Sequence, residues 1–195
     1  MASGRYHHGD LRAASVRAAL SLIESDGAAA VSVRRVAREI GVSHTAVGKE
    51  LGGLEGLLVA AAAAIYDGVA EAQLVDPAVV PDARERFRAV GRGYVRYLLD
   101  HPRWLGFLGH PVVQGSTDAG LAGARERAVA ELMWAVEAAM DAEAIRRDHP
   151  ETVATFVWST CFGFAGLVAG GALPWESEND PVEALLDQLY LGLQP

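Results

Sequence analysis

Apolar side chains recur every three to four positions along nearly the whole chain, and no alternating β-branched run reaches strand length, a pattern that predicts an all-α fold. Asp10 is placed to cap a first helix whose inward side runs through Leu11, Ala14, Ala18 and Leu22 and which stops at Gly27. Ser32 caps a second, with Val33, Val36, Ala37 and Ile40 inward, Arg34, Arg35, Arg38 and Glu39 outward, and Gly41 at its end. Ser43 caps a short third. Beyond Gly52 and Gly53 the run "LEGLLVAAAAAIYDGVAEAQL" predicts a long helix to Leu74, and "VDPAVVPD" a loop carrying Pro77 and Pro81. Asp82 caps "ARERFRAVGRGYVRYLLD", a short "PRWLGFLGH" segment follows, and 110–120, rich in Gly, Pro, Ser and Thr, reads as a surface loop. Helices are expected over 121–144, 150–171 and 181–193, with Pro150 and Pro181 in first turns, where an N–H has no partner to lose. The chain thus divides into 1–52, three short helices behind an N-terminal arm, and 53–195, a larger helical domain entered through the long helix.

The second and third helices, separated by Gly41 and Val42, have the layout of a helix-turn-helix. In such a unit the first helix crosses the phosphate backbone and the start of the second enters the major groove, where base edges differ. Gly41 turns the chain without a Cβ clash. Ala37, Ile40, Val42 and Val47 form the packed angle, which leaves Ser43, His44, Thr45, Ala46 and Lys49 toward DNA. Ordinary capping is the competing role for Ser32 and Ser43.

Charge sharpens that placement. The net charge is −8, yet residues 1–60 hold seven basic and six acidic side chains against ten and nineteen in the remainder, so a polyanion is expected only at the N-terminal end. The single cysteine, Cys161, excludes an internal disulfide and a cysteine-rich zinc site, suits a reducing, cytoplasmic setting and reads as a small buried apolar residue. "MASGRYHHGDLRAA" has no apolar run of signal-peptide type, so export is not expected. The charge-free stretch "TVATFVWSTCFGFAGLVAGGALPW" is long enough to span a bilayer and sets Gly166 and Gly170 in G-x-x-x-G spacing. Thr152, Thr155, Ser159 and Thr160 dilute it and Pro174 ends it, so a helix inside a core or at a dimer interface is expected, with no membrane partner.

The stretch "RYHHGDLRAASVRAALSLIESDGAAAVSVRRVAREIGVSHTAV", above all "YHHGDLR" and "VSVRRVAREIGVS", resembles the N-terminal domain of the TetR family of transcriptional regulators. The helix order downstream extends the resemblance to the whole chain at the level of architecture. It implies a homodimer that binds a palindromic double-stranded DNA operator and releases it when a small molecule occupies the C-terminal domain. By the same resemblance, Ser32 and Arg34 fall where the family contacts phosphate, Ser43, His44, Thr45 and Lys49 fall on the recognition helix, and Arg5, Tyr6, His7 and His8 form an arm along the duplex. Two features depart from the family. Gly48 stands where an aromatic, often tyrosine, contacts phosphate, and Leu54 where a lysine opens the fourth helix, while Glu50 brings a negative charge close by. Weakened phosphate contacts are therefore expected. The alternative is a ligand-binding or scaffolding protein of the same fold that has lost autonomous DNA binding.

For an apolar or aromatic effector the candidate residues are Tyr97, His101, Trp104, His110, Trp134, Trp158 and Phe162, since such pockets are mainly apolar with a few placed polar groups. "WSTCFG" resembles the tryptophan, histidine and glycine pattern of one C-terminal-domain class in the family, with Phe162 replacing the histidine. Gly163, Gly166 and Gly170, together with the stripe of Leu185, Leu186, Leu189 and Leu193, are the candidate dimer surface. Asp100 and His101 are adjacent on a helix and point in different directions, and no nucleophile, phosphate loop or metal spacing accompanies them, so neither catalysis nor a cofactor or metal is expected.

Overall fold

The computed structural model describes residues 8–173 and 180–195, and among them it contains ten α-helices and no strand, an all-α fold. The helices are α1 (His8–Asp26), α2 (Val33–Glu39), α3 (His44–Leu51), α4 (Gly53–Gln73), α5 (Ala83–Asp100), α6 (Pro102–Leu108), α7 (Pro111–Gln114), α8 (Ala119–Asp141), α9 (Pro150–Ala169) and α10 (Pro181–Leu191). They form two compact units. The first holds the described residues up to Ile65 together with Arg103–Gly123, and the second holds Tyr66–Pro102 with the described residues from Ala124 onward. This division differs from the 1–52 and 53–195 read from the sequence, because it falls inside α4 and returns α6, α7 and the start of α8 to the first unit.

In the first unit α1, α2 and α3 pack on one another. Leu11, Ala14, Leu22 and Ile23 of α1 are buried, with Ala19 rather than Ala18 completing that face. Asp10 lies inside the first turn of α1 and not before it, since the helix already begins at His8. Ser32 and Ser43 do cap: their Oγ atoms accept the N–H groups of Arg35 and Ala46, each at 3.2 Å. Arg103 of α6 donates to the Ser25 carbonyl in the last turn of α1, where a cation complements the helix dipole, and the neighbouring Asp26 carboxylate pairs with Arg35 of α2. The segment expected as a plain loop over 110–120 contains α7. His110 Nδ1 caps it by accepting the Val112 N–H at 3.3 Å, and Val113 is fully buried.

In the second unit α5 packs against both α9 and α10 around a core that includes Phe87, Val90, Val95, Val157, Cys161 and Leu186. Burial pushes the Cys161 thiol up to about 12. Gly93 brings α5 against the end of α4: a Cβ there would lie 2.8 Å from the Ala72 carbonyl carbon. α8 ends at Asp141, short of the expected 144, because Glu143 takes a left-handed turn with φ 55° and the Ala144 N–H reaches the Ala139 carbonyl at 2.8 Å.

An ion-pair ladder fastens α10 to α5. Arg88, Arg92 and Arg96, one turn apart, face Asp187, Glu183 and Asp180, with Arg88 to Glu183 at 3.1 Å and Arg96 to Asp180 at 2.6 Å. Hydrogen bonding from Arg92, then from Arg88, outweighs desolvation and holds the Glu183 carboxyl at about 2, below its ordinary 4.5. A depressed carboxylate stabilises the fold above its unfolded value and loses that contribution as pH falls from about 4.5 to about 2. Glu183→Gln is expected to lower stability at neutral pH and to flatten the pH dependence across that window, read by denaturant titration at stepped pH.

Two helices, α4 and α9, are long and apolar enough to cross a membrane by length and composition. In their apolar windows 44% and 33% of the residues are buried within the fold.

Candidate functional site

α3 presents a polar edge of the kind that can enter a groove. Val47 and Leu51 turn inward and are buried, whereas Ser43, His44, Thr45 and Lys49 are all exposed along the other side. The turn into α3 is set by Gly41 at φ 73°, with the Val42 N–H bonded to the Ala37 carbonyl at 2.9 Å. Ala37 is buried with Val47, while Ile40 and Val42 are half-buried at the angle between the helices.

On α2, Ser32 and Arg34 are exposed as the sequence implied. Arg35 is occupied by Asp26, but Arg34 and Arg38 have no ion-pair partner among the described residues. These two lie four residues apart, hence on one face, and both are exposed. Arg38 is an exposed cation that reading the sequence did not name beside Arg34, although its spacing from Arg34 was visible there. Arg5, Tyr6 and His7 lie outside the described residues.

The departures in "GKELGGLEGL" have different structural causes. Gly48 sits inside α3, where a Cβ would meet only Val33 Cγ1 at 3.8 Å, so no packing demand keeps it small. Gly52 ends α3 in the left-handed region at φ 73°, its N–H bonded back to the Gly48 carbonyl, and Gly53 opens α4 at φ 87°. The glycine pair is therefore the joint between two helices. Leu54 is exposed on the first turn of α4, and Glu50 is half-buried.

The effector candidates fall into different units. Trp104 and His110 belong to the first, where Trp104 is buried and the His110 ring lies tilted against Phe107 with centroids 6.4 Å apart. Tyr97, His101, Trp134, Trp158 and Phe162 belong to the second. The Tyr97 ring stands edge-on to His101 at 5.5 Å, and its hydroxyl fills the space above Gly68; burial first, then the charges of Glu71 and Asp67, raises it to about 12. Trp158 and Phe162 are 42% and 43% exposed, and the Trp158 indole N–H donates to the Tyr94 hydroxyl at 2.7 Å. With Gly166 they make one row at four-residue spacing on the outer side of α9.

The dimer candidates also divide. Leu186, Leu189 and Leu193 are 3%, 4% and 1% exposed within their own core, and Leu185 is partly buried against it, so the expected leucine stripe is not a free face. The α10 pattern is amphipathic toward α5, which the sequence could not distinguish from amphipathic toward a second copy. On α9, by contrast, Gly163 and Gly166 are exposed and a Cβ on either would meet nothing within 4 Å. Phe156, Phe162 and Leu167 are exposed beside them.

Comparison with known proteins agrees with the fold. Residues 87–191 match a family model described as the tetracyclin repressor-like C-terminal domain. A protein with unknown function from Rhodococcus sp. RHA1 is 29% identical, with a TM-score of 0.78 over 99% of this chain and 100% of that one. A TetR family transcription regulator from Marinobacter aquaeolei VT8 is 22% identical, with a TM-score of 0.69 over 94% and 95%. RolR in complex with resorcinol shares 15% identity and a TM-score of 0.67 over 95% and 88%. No curated protein matches the sequence.

Proposed function

Because the chain belongs to the TetR family of transcriptional regulators, we propose that it acts in the cytoplasm as a homodimeric, ligand-responsive repressor of a palindromic operator. The observation that carries this reading is the edge of α3: Ser43, His44, Thr45 and Lys49 are exposed together on a helix that is capped and anchored from behind by Val47 and Leu51. Ser43 to Thr45 read base edges, while Ser32, Arg34 and Arg38 hold phosphate. The role is regulatory rather than catalytic. A titration with the neighbouring promoter fragment tests it. Nanomolar, sequence-specific binding at moderate salt supports the repressor, and binding no tighter than to random duplex removes it.

A second reading draws on Gly48 and Leu54. Neither position supplies a phosphate donor, and nothing in the packing of Gly48 requires glycine, so the same fold serves as a ligand-binding or scaffolding protein without autonomous DNA affinity. The effector in either reading is small and apolar or aromatic; the resorcinol ligand of RolR, a protein of like fold, accords with that class.

Dimerisation is assigned to the outer face of α9. A glycine inside a helix costs about 1 kcal/mol relative to alanine, and nothing in the protomer repays that at Gly163 or Gly166. Close approach of a second copy does, with Phe156, Trp158, Phe162 and Leu167 buried around it. Leu167→Glu is expected to halve the mass found by light scattering at micromolar concentration with helicity unchanged; a persistent dimer would place the interface elsewhere.

A further inference from the structure

An open groove of about 700 Å³ in the second unit combines features that neither DNA reading nor dimerisation uses. Leu74, Val75 and Asp76 line one part of it and Ala130, Glu131 and Trp134 of α8 the other. The Trp134 indole is 38% exposed, and Leu74 more so, although both are large and apolar. Glu131 and Trp134 are three residues apart on a helix, so carboxylate and indole stand side by side. Asp76 is held by its own turn: its Oδ1 accepts the Ala78 N–H at 2.8 Å, and its carbonyl accepts the N–H groups of Val79 and Val80 at 3.0 and 2.9 Å.

Charge decides what such a groove takes. Asp67, Asp180, Glu183 and Asp187 in the same unit are each paired with an arginine, whereas Asp76 and Glu131 have no ion-pair partner among the described residues. Two uncompensated carboxylates repel anions and give a neutral apolar molecule nothing beyond the walls. An organic cation gains both carboxylates and the face of an indole, the best of the aromatic side chains for this contact.

We propose that this groove binds a small organic cation with an apolar or aromatic body, of the quaternary ammonium or amidinium type, its charge between Asp76 and Glu131 and over Trp134 and its body against Leu74 and Val75. A strongly hydrated inorganic cation would leave the apolar walls unused. The site stands independently of operator binding.

The test follows the indole N–H resonance of Trp134 in the intact protein, assigned with Trp134→Phe, during titration with benzyltrimethylammonium and with its uncharged carbon analogue neopentylbenzene. The cation is expected to give a saturable shift and to bind at least about fivefold tighter than the neutral compound. Asp76→Asn with Glu131→Gln is expected to remove that preference; both side chains are at the surface, and asparagine keeps the acceptor for the Ala78 N–H. Equal binding of the neutral compound, an unchanged preference in the carboxamide variant, or no shift at millimolar cation each overturns the proposal. Because no DNA is present, none of these outcomes depends on the operator titration.

Discussion

Alanine at Gly56 is expected to destabilise the protein by about 3 kcal/mol, the upper end of what overpacking costs and equivalent to roughly 10 °C in Tm. Gly56 lies one turn into α4, pressed against the end of α3. A Cβ there would overlap the Leu51 carbonyl oxygen and lie 2.9 Å from its carbonyl carbon. Both partners are backbone, so no side chain can swing away; α4 would have to lift from α3, and Gly52 and Gly53 would have to change the turn they form. Gly48→Ala is the matched control. Its Cβ has room at 3.8 Å from Val33, and the change is expected to stabilise by about 1 kcal/mol through helix propensity alone. Thermal unfolding of the two variants in parallel checks the argument; a Gly56→Ala protein as stable as its parent would remove the close approach of α3 and α4.

The combined variant Gly48→Tyr with Leu54→Lys is expected to bind promoter DNA about tenfold more tightly and to steepen the dependence of log K on log salt by about 1.8, since one added lysine per protomer means two phosphates per dimer and each contributes about 0.9. Both positions accept the new side chains, the first because its surroundings are open and the second because Leu54 is already exposed. The two readings of function part here. A repressor with a weak grip gains affinity it already had, whereas a protein that has lost operator binding acquires measurable affinity only in the variant. No change in either affinity or slope would mean that phosphate is held from α2, by Arg34 and Arg38, and that the missing side chains of α3 and α4 never mattered.

What the sequence showed clearly was local. Ser32, Ser43, Asp82, Pro150 and Pro181 mark helix starts by hydrogen bonding or ring geometry that needs no knowledge of the rest of the fold, and the described helices begin there or one residue on. The polar edge of α3 followed for the same reason, since a capped helix with Val47 and Leu51 inward has only one side left. What failed was the assignment of apolar faces to partners. Leu186, Leu189 and Leu193 read as a stripe awaiting a second copy and turned out to face α5. Periodicity says that a face is apolar and is silent about which protomer covers it. The role of the glycine pair also needed coordinates: the positive φ values of Gly52 and Gly53 make them the terminus of α3 and the entry to α4.

Lys49 gives the exposed edge of α3 a practical property. It is the only lysine in the chain, and its side chain is exposed. An amine-directed reagent therefore has one side-chain target, on the edge proposed to meet a duplex, so the rate of acylation at that amine with and without promoter DNA tests the proposed operator binding and needs no engineered label.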